Sequence, residues 1–151
     1  MWNLKSYRFG FDPWGLGLFL LIMLPNFVWF AVPAPNDILR GESVTPLLDT
    51  IAQILQILMA AALCVVVNIS RDRPMKRRYP AGLAVCVALY FAGWAVYYAG
   101  FTGAAVVLTL CLAPCGAFLF HSAGRKNAPA LLAAGGFAAC HLISTIVNFI
   151  L

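Results

Sequence analysis

The sequence predicts an all-α integral membrane protein, five transmembrane helices packed as one compact bundle. Three observations carry this. Hydrophobic residues make up 63% of the 151-residue chain and charged residues only 10%, where a soluble domain carries about a quarter charged. Five apolar runs each reach the roughly 20 residues that cross a hydrocarbon core of about 30 Å. The basic residues collect in alternate connections between those runs, as the positive-inside rule requires. Together these exclude a water-soluble enzyme, a nucleic-acid module and a disordered chain, which needs low hydrophobicity. The whole of 1–151 reads as a single membrane domain.

The first helix is expected over 13–32, opening at Asp12-Pro13 and stopping at Pro33-Ala34-Pro35. Asp is a good N-cap and Pro fits the first helical position. A cleaved signal peptide is the competing reading of this run. It is longer than an ordinary signal core and no clean small-residue cleavage site follows, so it reads as a retained helix. The connection APNDILRGESVT contains Asp37, Arg40 and Glu42, and Asn36 could cap a short interfacial helix through Arg40. The second helix, 46–69, opens at Thr45-Pro46 by the same cap logic and ends near Asn68-Ile69-Ser70. The third, 80–100, starts at Tyr79-Pro80 and ends at Gly100; the fourth, 102–123, follows at once. The fifth, 128–151, opens at Asn127-Ala128-Pro129.

Orientation follows from charge. Lys5 and Arg8 precede the first helix, Arg71, Arg73, Lys76, Arg77 and Arg78 separate the second from the third, and Arg125 and Lys126 separate the fourth from the fifth. A five-helix count puts nine of the ten basic residues on one side and only Arg40 on the other. The N-terminus is therefore expected in the cytoplasm and the C-terminus outside. The cluster Arg71, Arg73, Lys76, Arg77 and Arg78 would also attract anionic lipid headgroups. The five cysteines all lie inside apolar runs and do not form a disulfide framework. Cys111 and Cys115 stand one helical turn apart, a spacing more usual for packing than for a redox pair.

Polar side chains inside a bilayer are costly and often functional. Asp49, Gln53 and Gln56 share one face of the second helix, at i, i+4 and i+7. His141, Ser144, Thr145 and Asn148 form a similar stripe on the fifth, Tyr90, Trp94 and Tyr97 one on the third, and Asn26 follows Pro25 in the first. At 1.5 Å per residue Asn26, Gln53, Gln56, Trp94, Tyr97, His141 and Ser144 reach similar depths in the outer half of the membrane, with Asp49 and Asn148 nearer its outer edge. The expected site is a ligand pocket built from Asn26, Asp49, Gln53, Gln56, Trp94, Tyr97, His141 and Ser144. Asp49 would supply charge, and Trp94 and Tyr97 aromatic faces that can hold a cation. His141 could make binding pH-sensitive near neutrality. Each residue also has a plainer reading: Asp49 as a first-turn acid at a helix dipole, the amides and hydroxyls as interhelical glue, the tyrosines as an interfacial belt. Pro25 and Pro114 interrupt their helices and free a carbonyl each. Ala130, Ala134 and Ala138, beside Gly135-Gly136, suit close helix packing within the bundle or a homodimer. No metalloprotease, nucleophile-elbow or phosphate-loop motif is present. No cofactor or metal is implied, and an enzymatic role has few parts to draw on.

The run Phe9-Gly10-Phe11-Asp12-Pro13-Trp14-Gly15, then Leu24-Pro25-Asn26, then Pro33-Ala34-Pro35-Asn36-Asp37-Ile38-Leu39-Arg40, resembles a group of small, uncharacterised bacterial multi-pass membrane proteins. The resemblance covers mainly residues 9–50. It implies a bacterial inner-membrane protein and carries over no site residues. Size and helix count are also similar to the tryptophan-rich sensory protein family, a likeness of architecture alone. Two functions are expected: a binder or transporter of a small molecule, or an accessory subunit of a larger membrane complex that spends the same polar stripes on partner helices. Stripes turned inward within one chain would favour the first, stripes turned to lipid the second.

Overall fold

A computed structural model of the chain describes residues 6–69 and 74–151. Lys5, Ser70, Arg71 and Arg73 lie outside the described residues. Five long helices alternate in direction: α1 (Pro13–Ala31), α2 (Pro46–Val65), α3 (Arg78–Tyr98), α4 (Ala104–Gly124) and α5 (Ala128–Phe149). They run 19 to 22 residues, and each is long and apolar enough to cross a membrane. The molecule is a multi-pass membrane protein by this measure. Large side chains such as Leu24, Phe27, Ile57, Val85, Leu89 and Leu132 stand exposed on its flanks. In water they would drive aggregation; in a bilayer they face hydrocarbon.

Helix α4 is the central element, with 50% of its apolar window buried against 22–28% for the other four. It packs closely on α3 and α5, and α2 packs closely on α5, while α1 touches its neighbours sparsely. Small residues set these distances. A Cβ at Gly82 would meet the Phe120 ring at 2.7 Å, and one at Gly116 the Cys86 sulfur at 2.8 Å. On α5, Ala130 and Ala134 are buried, and a Cβ at Gly136 would meet Leu55 of α2 at 3.2 Å. That small-residue stripe is spent inside the chain. Helix α1 comes close to α2 at Gly15, where a Cβ would overlap the Leu63 carbonyl.

The second helix ends earlier than the sequence suggests. It stops at Val65, and Val66–Asn68 is a strand, β2, paired antiparallel with β1 (Tyr7–Phe9) in the register Tyr7↔Asn68, Arg8↔Val67, Phe9↔Val66. Val65-Val66-Val67 is a β-branched run, poor in a helix and good in a strand. Asn127 reinforces the change. Its amide donates to the carbonyls of Ala62 (2.9 Å) and Val66 (2.8 Å), while its oxygen accepts from Ala130 N and caps α5. The carboxyl of Asp12 likewise accepts from Trp14 N at 3.1 Å to cap α1. Thr45, expected to cap α2, makes no such bond, because its hydroxyl is held by Ser144 and Asn148. The interfacial helix expected after Asn36 is a single 3-10 turn, Ile38–Arg40. It is preceded by Asp37 rather than capped by Asn36, which sits at φ +55°.

Candidate functional site

A cavity of about 450 Å³ lies among all five helices, in the half of the bundle nearer the α1–α2 loop. Asn26, Asp49, Gln53, Gln56, Trp94 and His141, from four helices, all line it. Helical periodicity aims Asp49, Gln53 and Gln56 from one face of α2. Pro25 is buried, and the Asn26 amide beside it donates to the Ile22 carbonyl at 3.2 Å and to Tyr90 OH at 2.8 Å. Asn26 thus joins the bend of α1 to the aromatic face of α3. On α4, Pro114 removes the N–H that would bond the Leu110 carbonyl, and both residues line the cavity.

The wall is aromatic. Trp94 is 6% exposed and lies edge-on to Tyr90 (centroids 6.3 Å) and to Tyr97 (5.7 Å), with Trp29 at 6.4 Å. Among the described residues its buried Nε1 has no hydrogen-bond partner of good geometry. A buried donor in that state costs about 1–3 kcal/mol. His141 stacks on Phe137, centroids 5.1 Å apart and planes 13° apart.

Asp49 stands where the cavity meets a polar network. The hydroxyls of Ser43 and Ser144 each donate to one of its carboxyl oxygens. The Asn148 amide donates to Thr45 Oγ1 (2.7 Å) and to the Ser144 carbonyl (2.8 Å), and its oxygen accepts from Val44 N at 2.7 Å. Each carboxyl oxygen of Asp49 thus accepts from one serine. Among the described residues no Lys or Arg pairs with it.

Tyr97 and Ser144 stand behind the wall rather than in it. Tyr97 is fully buried one turn beyond Trp94, under the loop, where its hydroxyl donates to Asp37 at 2.8 Å and accepts from Leu39 N at 3.2 Å. Ser144 is 7% exposed and holds Asp49 in place.

Asp37 organises the loop above the cavity. It accepts from Trp29 Nε1 (2.9 and 3.0 Å), Tyr97 OH (2.8 Å), Arg40 Nε (2.8 Å) and Ala34 N (3.3 Å). Arg40 also lies over the Trp29 ring, 4.7 Å from its centroid, and donates to the Trp29 carbonyl. Burial pushes the Asp37 carboxyl up, but the bonds from Trp29, Tyr97, Arg40 and Ala34 outweigh it and hold the group below the ordinary carboxylate range. The sequence marked Asp37 only as a loop acid. Its signal was the spacing of Trp29, Asp37 and Arg40 around a proline-rich turn.

Other wall residues carried no polar signal: Trp29, Phe30, Cys111, Phe118, Phe137 and Phe149. No group of three His, Cys, Asp or Glu converges as a metal site would need, among the described residues. The arrangement can take a compact, largely apolar molecule with one charged or hydrogen-bonding end. No family model, no curated protein and no solved structure matches this chain.

Proposed function

We propose that the chain is a binder or transporter of a small organic molecule, held with a positively charged or hydrogen-bonding end at Asp49 and an apolar body against Trp29, Trp94 and Phe137. The observation that carries this is the position of Asp49. It borders the cavity, is oriented by two hydroxyls, and has no cation of its own among the described residues. Aromatic faces nearby favour a cation further. On the positive-inside reading the basic end is cytoplasmic, the membrane is a bacterial inner membrane, and the pocket lies in its outer half.

The competing role, an accessory subunit, would turn the polar stripes to partner helices. Ser144 and Thr145 are buried, and Asn148, Ser144 and Asp49 bond within the chain. That inward use supports the pocket.

The test is a thermal-shift screen of the detergent-purified protein with monovalent organic cations of graded size. A ligand that binds only the folded state adds about 2.7 kcal/mol at one hundred times its dissociation constant. The expected result is a rise in melting temperature that Asp49→Asn abolishes. A rise that survives in Asp49→Asn would remove Asp49 from the site. Trp94→Phe sharpens the test. Among the described residues its indole N–H makes no hydrogen bond of good geometry, so removing that donor should cost under about 1 kcal/mol of stability while weakening cation binding.

A further inference from the structure

Exposure around the cavity is not evenly spread. The wall residues given by α3 and α4, such as Tyr90, Trp94, Leu110 and Phe118, are all buried. The exposed ones are Phe30 on α1, 64% accessible, and Gln53 on α2. The two helices are antiparallel, and their contacts give the register. Gly15 faces Leu63, and Met23 faces Gln56, with its sulfur 4.0 Å from the amide nitrogen. Continued outward, that register sets Asn26 level with Gln53 and Phe30 level with Asp49. All four line the cavity. The helices therefore meet near the basic end and stand apart at the level of the pocket. Meanwhile the loop above is tied down, with Asp37 fastened to α1 through Trp29 and to α3 through Tyr97.

We infer that the pocket opens sideways to the bilayer through a portal between α1 and α2, framed by Phe30 and Gln53, and that its ligand is an amphiphilic organic cation drawn from the membrane. This rests on the pocket reading above and adds the route and the ligand class. A polar amide turned toward hydrocarbon is costly without a partner. Gln53 makes no hydrogen bond to a described residue, and it can instead meet the ligand's polar end as it passes. A bilayer also concentrates amphiphiles at interfacial depth. Gln53 lies seven residues inside Pro46, about 10 Å along the helix axis. The charged end then travels a short way from the interface to Asp49, and the apolar body never leaves a low-dielectric medium.

The experiment uses the full chain with its five cysteines replaced by alanine, carrying Phe30→Cys and Gln53→Cys, in phosphatidylcholine proteoliposomes. A short bis-methanethiosulfonate reagent bridges the gap reversibly. The probe is a singly charged styrylpyridinium dye, which dissolves in membranes and brightens when held rigidly. Bridging should slow dye binding at least tenfold, and dithiothreitol should restore it. A second pair, Phe19→Cys with Ala60→Cys, lies one turn nearer the basic end in the same register and outside the cavity lining; bridging it should leave the rate within twofold. Equal rates with and without the Phe30–Gln53 bridge overturn the portal while leaving the pocket standing. Absence of dye binding to the unbridged second pair overturns the pocket and the portal with it. Bridging from Gln53→Cys to a co-purified chain overturns the portal in favour of a protein interface.

Discussion

Asp37 illustrates how one carboxylate can fix a loop. Four donors converge on it, among them the indole of Trp29, which lines the pocket, and the phenol of Tyr97, which packs behind Trp94. Its protonation constant is depressed in the fold, so its contribution is present above the unfolded value near 3.8 and is lost as pH falls through the lower folded value. Asp37→Asn should therefore lower the stability of the detergent-solubilised protein by about 2 kcal/mol at neutral pH. The gap from the parent should close as pH drops below about 4. Melting curves of the two proteins from pH 7 to pH 3 decide it; a gap that persists unchanged at pH 3 would mean that shape, not charge, holds the loop. Polar pocket residues such as Asn26, Gln53 and His141 were legible because a polar side chain in an apolar run interrupts a pattern. Trp29, Cys111 and Phe118 were not. An apolar side chain lining a cavity has the same spacing as one packed in a core, and only the neighbours opposite distinguish the two.

At the scale of elements, the five apolar helices were legible from length and hydropathy, and the starts of α1 and α5 from their Pro and cap residues. The strand at Val66–Asn68 was not. A β-branched run after a transmembrane helix reads as more of the same helix until a partner strand is known, and Tyr7–Phe9 is about sixty residues away. Asn127 shows the same limit. Its cap role is local and readable, but its two bonds to α2 need the fold. Removing them separates the roles. Asn127→Ala should cost about 3 kcal/mol, by losing the cap and leaving the Ala62 and Val66 carbonyls without their donor. Asn127→Ser restores the cap alone and should recover about 1 kcal/mol. Equal stability of the two variants, measured by thermal unfolding in detergent, would show that the cap contributes nothing.

The bundle as a whole has one polar end rich in Arg and Lys and one end closed by the Asp37 loop, and helix parity ties them to opposite membrane faces. Tyr7, Asn68, Lys126 and Asn127 bond to one another or to the α2 end at the basic face, so the N-terminal strand, the α2–α3 connection and the α4–α5 turn share that side. The α1–α2 loop, the α3–α4 turn and the C-terminal end of α5 share the other, through Asn36 with Gly100 and Val44 with Asn148. Charge then selects which face is which, because loops rich in Lys and Arg resist translocation. An epitope after Leu151 should be reached by antibody in intact spheroplasts, and one inserted between Arg125 and Lys126 only after the membrane is broken. The reverse pattern would place the pocket in the cytoplasmic half and make the ligand a molecule taken from the inner leaflet. Replacing Arg77, Arg78, Arg125 and Lys126 with Gln weakens the bias without touching the pocket. A mixed population of orientations in that variant is the expected result, and an unchanged single orientation would mean that something other than these charges sets the topology.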